Sequence, residues 1–208
     1  MAQLFVVHPD NPQVRLLRQA AQLIDLGAVA VVPTDSCYAL ACHLDDKAAV
    51  DRVRRVRNVD ERHNLTLLCR DLTEIATYAR VDNVQYRLLR QATPGPYTFI
   101  LEATREVPRR LSHPSRKTIG IRVPDNAVTR ALLDVLGQAL ISTTLILPGD
   151  EVPMSDPQEI RARLQHDTDL IIDGGPSGIE PTTVIDLTGK EAVVVRHGRG
   201  SLAAIGLA

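Results

Sequence analysis

PTDSCYAL, residues 33–40, directly follows the apolar run AVAVV at residues 28–32. An unbroken apolar run of this kind is typical of a strand buried in a sheet. Pro33 has no backbone N–H to donate to a neighbouring strand, so the strand is expected to end there. The hydroxyls of Thr34 and Ser36 and the carboxylate of Asp35 then lie where a buried strand would open into a cleft. This pattern predicts a ligand-binding site at the end of the strand.

Length and composition are those of an ordinary globular protein. The 208 residues fit one domain, predicted over residues 1–208 with its core at about 12–200, and are enough to bury a sizeable core. The apolar content of 44% and the charged content of 24% are typical of a globular protein, and the net charge of −1 excludes a globally basic nucleic-acid binder. The first residues lack a positively charged leader, and no apolar run is long enough to span a bilayer, so we expect a cytoplasmic protein without membrane contact.

The cysteines do not indicate a disulfide framework or a structural metal site. Cys37, Cys42 and Cys69 are odd in number and lack paired CxxC spacing. We therefore expect free, partly buried thiols.

Helix and strand signals alternate along the chain. A first helix is predicted from Asn11 as cap and Pro12 as first residue to Gly27 as terminator, and a second from Asp45. Further helices are predicted after Asp71 (with Glu74 as a capping box), from Asp82 or Asn83 to near Thr93, after Asn126 and after Pro157. Strands are predicted at 28–32, 65–69, 97–103, 118–123, 139–142, 170–172, 183–187 and 192–196. Because no helix separates the last two strands, a mixed sheet is favoured over a fully parallel one.

Positive charge is concentrated in two segments. Residues 52–70 hold six arginines against two acidic residues, a net charge of +4, and residues 105–122 hold five arginines and a lysine against one glutamate, a net charge of +5. If both segments border one cleft, they would form a field suited to a polyphosphate or an RNA backbone. The alternative is that they are solvated helix faces.

The octamer at residues 33–40 resembles the PTDTxYGL signature of the YrdC/TsaC family, whose members make threonylcarbamoyl-adenylate for tRNA modification. Thr34, Asp35 and Tyr38 match the signature, while Ser36 replaces threonine and Ala39 replaces glycine. Further matches follow in the family's order and cover most of residues 12–200. They are Arg55-Val56-Arg57 with Asn64-Leu65-Thr66, Thr118-Ile119-Gly120-Ile121-Arg122, Ser142-Thr143-Thr144, GIEPTTVIDL at residues 178–187, and Arg196 before His197-Gly198.

The resemblance implies a fold and a set of binding residues. The fold would be a single α/β YrdC-like domain, with a twisted mixed β-sheet flanked by helices and a basic concave cleft. The ATP-binding residues implied are Arg55, Arg57, Thr118, Thr144 and Arg196. The residues implied for L-threonine are Thr34, Tyr38, Arg122, Ser142 and Thr182. Arginine suits the threonine carboxylate because its planar fork can satisfy both carboxylate oxygens.

The resemblance also implies a reaction in which L-threonine, bicarbonate and ATP give threonylcarbamoyl-adenylate and pyrophosphate. A carbamate formed on the threonine amine can itself attack the α-phosphate, so no catalytic side chain is needed as nucleophile. Catalysis would then depend on positioning and on charge neutralisation by arginines and by Mg²⁺ carried with ATP. His43, His63 and His197 are candidate proton carriers, with surface or packing roles as the alternative.

Several positions depart from the family pattern and resemble its YciO branch, whose cellular role is less settled. They are Arg55 for lysine, Val56 for glycine, Asn58 for proline, Cys69 where many relatives have histidine, and Thr144 for asparagine. They leave a second function open, an RNA-binding paralogue that recognises tRNA or double-stranded RNA without efficient synthesis. The scarcity of stacking groups, with no tryptophan and only two phenylalanines, counts against it. A third is a carbamoyl- or adenylyl-transferring enzyme for a different amino acid.

Overall fold

The apolar run before the octamer is buried from both sides of a sheet. In the computed structural model, which describes residues 1–113 and 115–207, Ala30 and Val32 belong to one hydrophobic cluster while Val29 and Val31 belong to another. All four side chains are fully buried. The run therefore has no polar alternation because neither face of the strand meets water.

The described residues form eleven strands and six α-helices. The strands are β1 (Gln3–Val6), β2 (Ala30–Val32), β3 (Ala39–His43), β4 (Thr66–Leu68), β5 (Ala79–Arg80), β6 (Tyr97–Ala103), β7 (Thr118–Arg122), β8 (Leu140–Thr144), β9 (Leu170–Asp173), β10 (Thr183–Asp186) and β11 (Val193–Arg196). The helices are α1 (Val14–Asp25), α2 (Lys47–Arg57), α3 (Leu72–Tyr78), α4 (Asn83–Ala92), α5 (Ala127–Leu136) and α6 (Pro157–Leu164), and a short 3-10 helix follows at Ala203–Ile205.

All the strands join one sheet, in the order β1-β9-β2-β3-β8-β4-β7-β6-β10-β11, with β5 paired to β6. Neighbours are parallel at β1-β9, β9-β2, β4-β7 and β6-β10, and antiparallel elsewhere. The last two strands form an antiparallel pair. The predicted α/β fold with a mixed sheet is therefore confirmed.

Helices cover the two faces of the sheet unequally. The cluster on one face contains residues of α2, α3, α4 and α6 and extends under most of the sheet. On the other face, α1 and α5 pack on each other and on the half formed by β1, β9, β2, β3 and β8. The other half of this face lies beyond these two helices, and it comprises the end of β8 that carries Ser142 and Thr144 and most of the strands from β4 to β11. This open half is the floor of the candidate site.

Most predicted element boundaries are close to the observed ones, and the differences have local causes. The helix predicted from Asn11 begins at Val14, because the His8 ring accepts from the backbone N–H groups of Asp10 and Asn11 in a separate turn. The second helix is capped by Asp46 rather than Asp45. Gly27 follows the first helix with φ of +93°, as expected of a terminator.

At the third helix Asp71 is the cap, but the second half of the predicted capping box does not form. The carboxylate of Glu74 accepts from the Arg70 N–H at 2.7 Å and from Arg70 Nε instead of the Asp71 backbone. The strands β1, β3 and β5 were not predicted. Packing also extends beyond residues 12–200, since Phe5, Val7 and Ile205 are buried. Among the described residues, the helices are too short or too polar to cross a bilayer.

Candidate functional site

A cleft of about 890 Å³ lies over the open half of the sheet. Its floor is a row of register partners that crosses four strands: Ser142 pairs with Thr66, Thr66 with Gly120, and Gly120 with Ile100. Because strand side chains alternate between faces, Ser142, Thr66 and Gly120 present hydroxyl groups or no side chain to the cleft, and Ile100 adds an apolar group. The next residues on three of these strands, Ile141, Leu67 and Ile121, belong to the hydrophobic core on the other face.

The segment Thr118–Arg122 on β7 illustrates this alternation. Thr118, Gly120 and Arg122 line the cleft, while Ile121 between them is fully buried in the hydrophobic core. A Cβ on Gly120 would lie 3.0 Å from the Thr66 hydroxyl oxygen, so the absence of a side chain at Gly120 leaves space in the cleft at this point. Motif positions two residues apart on a strand are therefore brought together.

Arg122 forms a buried ion pair with Asp35, with side chains 8% and 10% exposed. Its Nη2 also donates to the Thr34 hydroxyl at 3.1 Å, and Arg122 Nε has no hydrogen-bond partner among the described residues. Thr34 itself is buried and outside the cleft lining, and its hydroxyl accepts from the backbone of Ser36 and Cys37. Thr34 therefore holds the turn and orients Arg122 rather than facing the cleft.

The Tyr38 hydroxyl is also engaged inside the fold. It donates to the Gly175 carbonyl at 2.7 Å and accepts from the Gly174 N–H at 3.3 Å. Burial raises the pKa of Tyr38, so the phenol stays protonated. Tyr38 borders the cleft, but its hydroxyl joins β3 to the loop after β9.

Hydroxyl groups continue along the floor towards the edge strand. The Ser142 hydroxyl donates to the Thr66 carbonyl at 3.0 Å, and Thr144 lines the cleft two residues later. The hydroxyl oxygens of Thr182 and Thr98 are 2.8 Å apart. Arg196 on β11 donates to the Thr182 carbonyl through Nε and Nη2, at 3.2 and 2.9 Å, which fixes its guanidinium at the cleft.

Arg57, the last residue of α2, is half-buried at the cleft. Burial lowers its pKa, and its buried Nε has no hydrogen-bond partner among the described residues. Asn58 follows with φ of +52°, a value that proline cannot adopt. The replacement of the family's proline by Asn58 therefore matches a left-handed turn after the helix.

Arg55 is not brought into the cleft, although it stands two residues before Arg57. Two residues on a helix are separated by about 200°, so the two side chains leave α2 in nearly opposite directions. Arg55 is exposed and borders a second groove, together with Arg52, Arg163 and His166. The expectation that Arg55 and Arg57 act in one site is therefore not met by the geometry.

The two basic segments divide into cleft-lining and structural arginines. The cleft is lined by Arg57, Arg62, Arg116 and Arg122. Arg52 instead pairs with Asp169 at 2.7 Å, Arg70 pairs with Glu74 at 3.1 Å, and Arg110 donates to the Leu44 carbonyl. Both segments thus reach the cleft, but several of their charges stabilise the fold.

Other cleft residues were not assigned from the sequence. Thr66 and Thr98 could have been found from strand alternation, since each shares a face with predicted site residues. The apolar part of the lining comes mostly from loops and the edge strand, for which no local pattern exists; it includes Ile146, Val152, Ile179, Val184 and Val195. His63 and His113 line the cleft, whereas His43 and His197 do not.

The three thiols are free, as expected, and they are buried rather than only partly buried. Burial raises the pKa of Cys37, Cys42 and Cys69, so they stay protonated. No group of three or more His, Cys, Asp or Glu side chains within 1–113 and 115–207 is arranged to hold a metal ion. The chemistry that the cleft offers is anion binding by guanidinium groups beside hydroxyl donors and an apolar surface.

Comparison with known proteins identifies relatives over nearly the whole chain. The family profile Sua5_yciO_yrdC, described as "Telomere recombination", matches residues 22–198. "Uncharacterized protein YciO" of Escherichia coli K12 is 55% identical over 97% of this chain and 98% of its own length. The crystal structure of E. coli YciO superimposes with a TM-score of 0.94 at 54% identity, covering 99% of this chain and 100% of that one.

Two more distant relatives have informative names. The threonylcarbamoyl-AMP synthase of Mus musculus is 32% identical over 86% of this chain and 65% of its own length. P. abyssi Sua5, solved in complex with L-threonine, shares the fold with a TM-score of 0.86 at 22% identity, covering 95% of this chain and 58% of that protein.

Proposed function

Because this chain belongs to the Sua5/YciO/YrdC family, we propose that it forms L-threonylcarbamoyl-adenylate and pyrophosphate from L-threonine, bicarbonate and ATP. The product would be the donor for threonylcarbamoyl modification of tRNA. The YciO relative that is 55% identical has no activity in its name, so the proposal depends on the site itself.

The strongest support for the proposal is the unpaired guanidinium of Arg57. Arg57 is half-buried with an unpaired Nε and without a carboxylate partner among the described residues, and it lies on the same cleft as the row of hydroxyls. A desolvated guanidinium without a counter-ion is costly unless an anion completes its hydrogen bonds. A phosphate group supplies such an anion and accepts from the guanidinium fork.

The proposed residue roles follow from position. Arg57 and Arg196 would bind phosphates of ATP, with the hydroxyls of Thr118 and Thr144 nearby. Arg122, whose Nε has no partner among the described residues, would bind the threonine carboxylate, while Ser142 and Thr182 would line the amino-acid pocket. We propose that Mg²⁺ enters bound to the phosphates of ATP, as is usual for this ion.

The reaction would proceed by positioning and charge neutralisation, without a catalytic side chain as nucleophile. Bicarbonate and the threonine amine form an N-carboxylate with loss of water, and a carboxylate oxygen of that group attacks the α-phosphorus. One P–O bond forms, the bond from the α-phosphorus to the bridging oxygen breaks, and pyrophosphate leaves. Arginine side chains offset the charge that develops on the phosphates. The departures at Asn58 and Thr144 from the family pattern predict slow turnover.

The direct test is incubation with ATP, bicarbonate and labelled L-threonine, with and without tRNA. We expect labelled threonylcarbamoyl-adenylate and an equal amount of pyrophosphate, with less product when valine replaces threonine. Valine lacks the hydroxyl, and a pocket built to bind that group would leave its own polar groups unpaired. Absence of product together with tight, salt-dependent RNA binding would overturn the proposal in favour of the RNA-binding function.

A further inference from the structure

His63 is held at the cleft by a loop that the fold fixes in place. The guanidinium of Arg54, which is buried, donates to the backbone carbonyls of Asp60 at 2.7 Å and His63 at 3.1 Å. The Asp60 carboxylate in turn accepts from the backbone N–H groups of Arg62 and His63. The ring therefore has a defined position on the cleft wall, next to the end of α2 that carries Arg57.

The surroundings of the His63 ring are mainly cationic. Among the described residues, Arg54 and Arg57 face it from α2, and the carboxylate of Asp60 faces it from its own loop. From β8 it meets only an uncharged group, the Thr143 hydroxyl, whose oxygen lies 3.4 Å from Nε2. Half-burial and the two arginines lower the pKa of His63, so its neutral form predominates at pH 7.

We propose that His63 is a proton-coupled phosphate ligand, which takes up one proton when a nucleotide polyphosphate binds beside Arg57 and then donates from Nε2 to a phosphate oxygen. The inference rests on the proposed function, because it requires the polyphosphate of a nucleotide in this cleft. The proton comes from solvent, and no covalent bond of the nucleotide changes.

The charge next to the His63 ring changes sign when a nucleotide binds. Before the nucleotide binds, the nearest formal charges are mainly positive and oppose protonation of the imidazole. A polyphosphate brings several negative charges to the same position, so it favours the imidazolium and gains a charge-assisted hydrogen bond from it. Binding and protonation therefore strengthen each other, as linkage requires.

Calorimetric titration of the protein with Mg·ATP, in two buffers with different ionisation enthalpies at about pH 7, measures the linked proton uptake directly. The wild type should take up close to one proton more per ATP than His63→Asn. The pKa of His63 should be higher in the ATP complex than in the free protein. At pH values between these two, the wild-type dissociation constant for ATP should rise by up to about tenfold per pH unit, because one proton is taken up on binding. The variant should lack this additional slope.

His166→Asn is the matched control, because His166 is an exposed histidine that borders the other groove. It should behave as the wild type does. Equal proton uptake by the wild type and His63→Asn, with ATP bound to both, would overturn this inference and leave the proposed function standing. If the wild type binds no ATP, both fall.

A second measurement keeps the test valid if His63→Asn does not fold. Nitrogen NMR of the histidine rings in the wild-type protein reports the protonation of His63 with and without Mg·ATP. We expect the His63 signals to move from the neutral to the imidazolium position on saturation with ATP. An unchanged neutral signal in the saturated complex would reject the proton-coupled role.

Discussion

The two halves of the sheet differ on the face that carries α1 and α5. Under these helices the strands present apolar residues such as Ala30, Leu140 and Ile172, which are fully buried. Beyond them, corresponding positions on neighbouring strands are Thr66 and Gly120, with hydroxyl groups or no side chain. The site is therefore not an insertion into the fold. It is the part of a continuous sheet that the helices leave uncovered.

This difference separates two kinds of requirement on the sequence. In the covered half each side chain must fill space between the sheet and a helix, so its volume matters most. In the open half the side chains must keep space free and present polar groups, so their chemistry matters most. Substitutions of the same type should therefore have different effects in the two halves.

The largest expected effect is the loss of a buried side chain from a covering helix. Leu132 on α5 is fully buried, and Leu132→Ala should lower the free energy of unfolding by about 2–5 kcal/mol because it leaves a cavity. Ile100→Ala in the open half should cost clearly less, since Ile100 is partly exposed and borders the cleft. Urea unfolding monitored by circular dichroism measures both. Equal losses would show that the open half is packed as tightly as the covered half.

A smaller effect, on binding rather than stability, separates the two sides of helix α2. Arg57→Ala should weaken ATP binding by about 1.5–3 kcal/mol, the usual loss for a hydrogen bond to a charged group. Arg55→Ala removes the same side chain from the same helix, but its guanidinium borders the other groove, so ATP affinity should stay unchanged. Calorimetry on the two variants gives the comparison, and equal weakening by both would indicate a general charge effect instead of a phosphate contact.

The sequence predicts the strand-borne part of the site well because strands have a period of two residues. Thr118 and Arg122, and likewise Ser142 and Thr144, are an even number of residues apart and reach the cleft together. The same spacing on a helix separates side chains, and this is why Arg55 and Arg57 could not both be placed correctly without knowing the direction of the helix.

The sequence also does not show which motif side chains form hydrogen bonds within the protein. Thr34 and Tyr38 match a binding motif, yet their hydroxyls form hydrogen bonds inside the protein. A motif identifies which residues belong to a region, but a hydroxyl can equally serve a ligand or the turn that positions another residue. Strand β1 could not be predicted from the sequence either. It has four residues, of which one is polar, and so short a segment shows too little periodicity to indicate a strand.

The smallest expected effect compares Gly120 on β7, in the open half, with Gly174, which directly follows β9 of the covered half. A Cβ on Gly120 would meet the Thr66 hydroxyl oxygen at 3.0 Å and a Thr98 methyl group at 3.4 Å, and a threonine side chain can rotate away. A Cβ on Gly174 would meet Pro33 at 3.1 Å and Val128 of α5 at 3.2 Å. Those neighbours are a ring and a packed side chain, which cannot rotate away as easily.

We therefore expect Gly120→Ala to change the free energy of unfolding by no more than about 1 kcal/mol, because lower chain entropy of the unfolded state offsets the crowding. Gly174→Ala should cost more, in the range of about 1–3 kcal/mol that is typical of overpacking. Gly120→Ala should also keep ATP binding, since the nearest neighbours of the added methyl group are the Thr66 and Thr98 side chains, which can rotate away. Thermal unfolding and ATP titration of both variants test the pair. A larger loss of stability in Gly120→Ala than in Gly174→Ala would contradict the distinction between an adaptable open half and a rigid covered half.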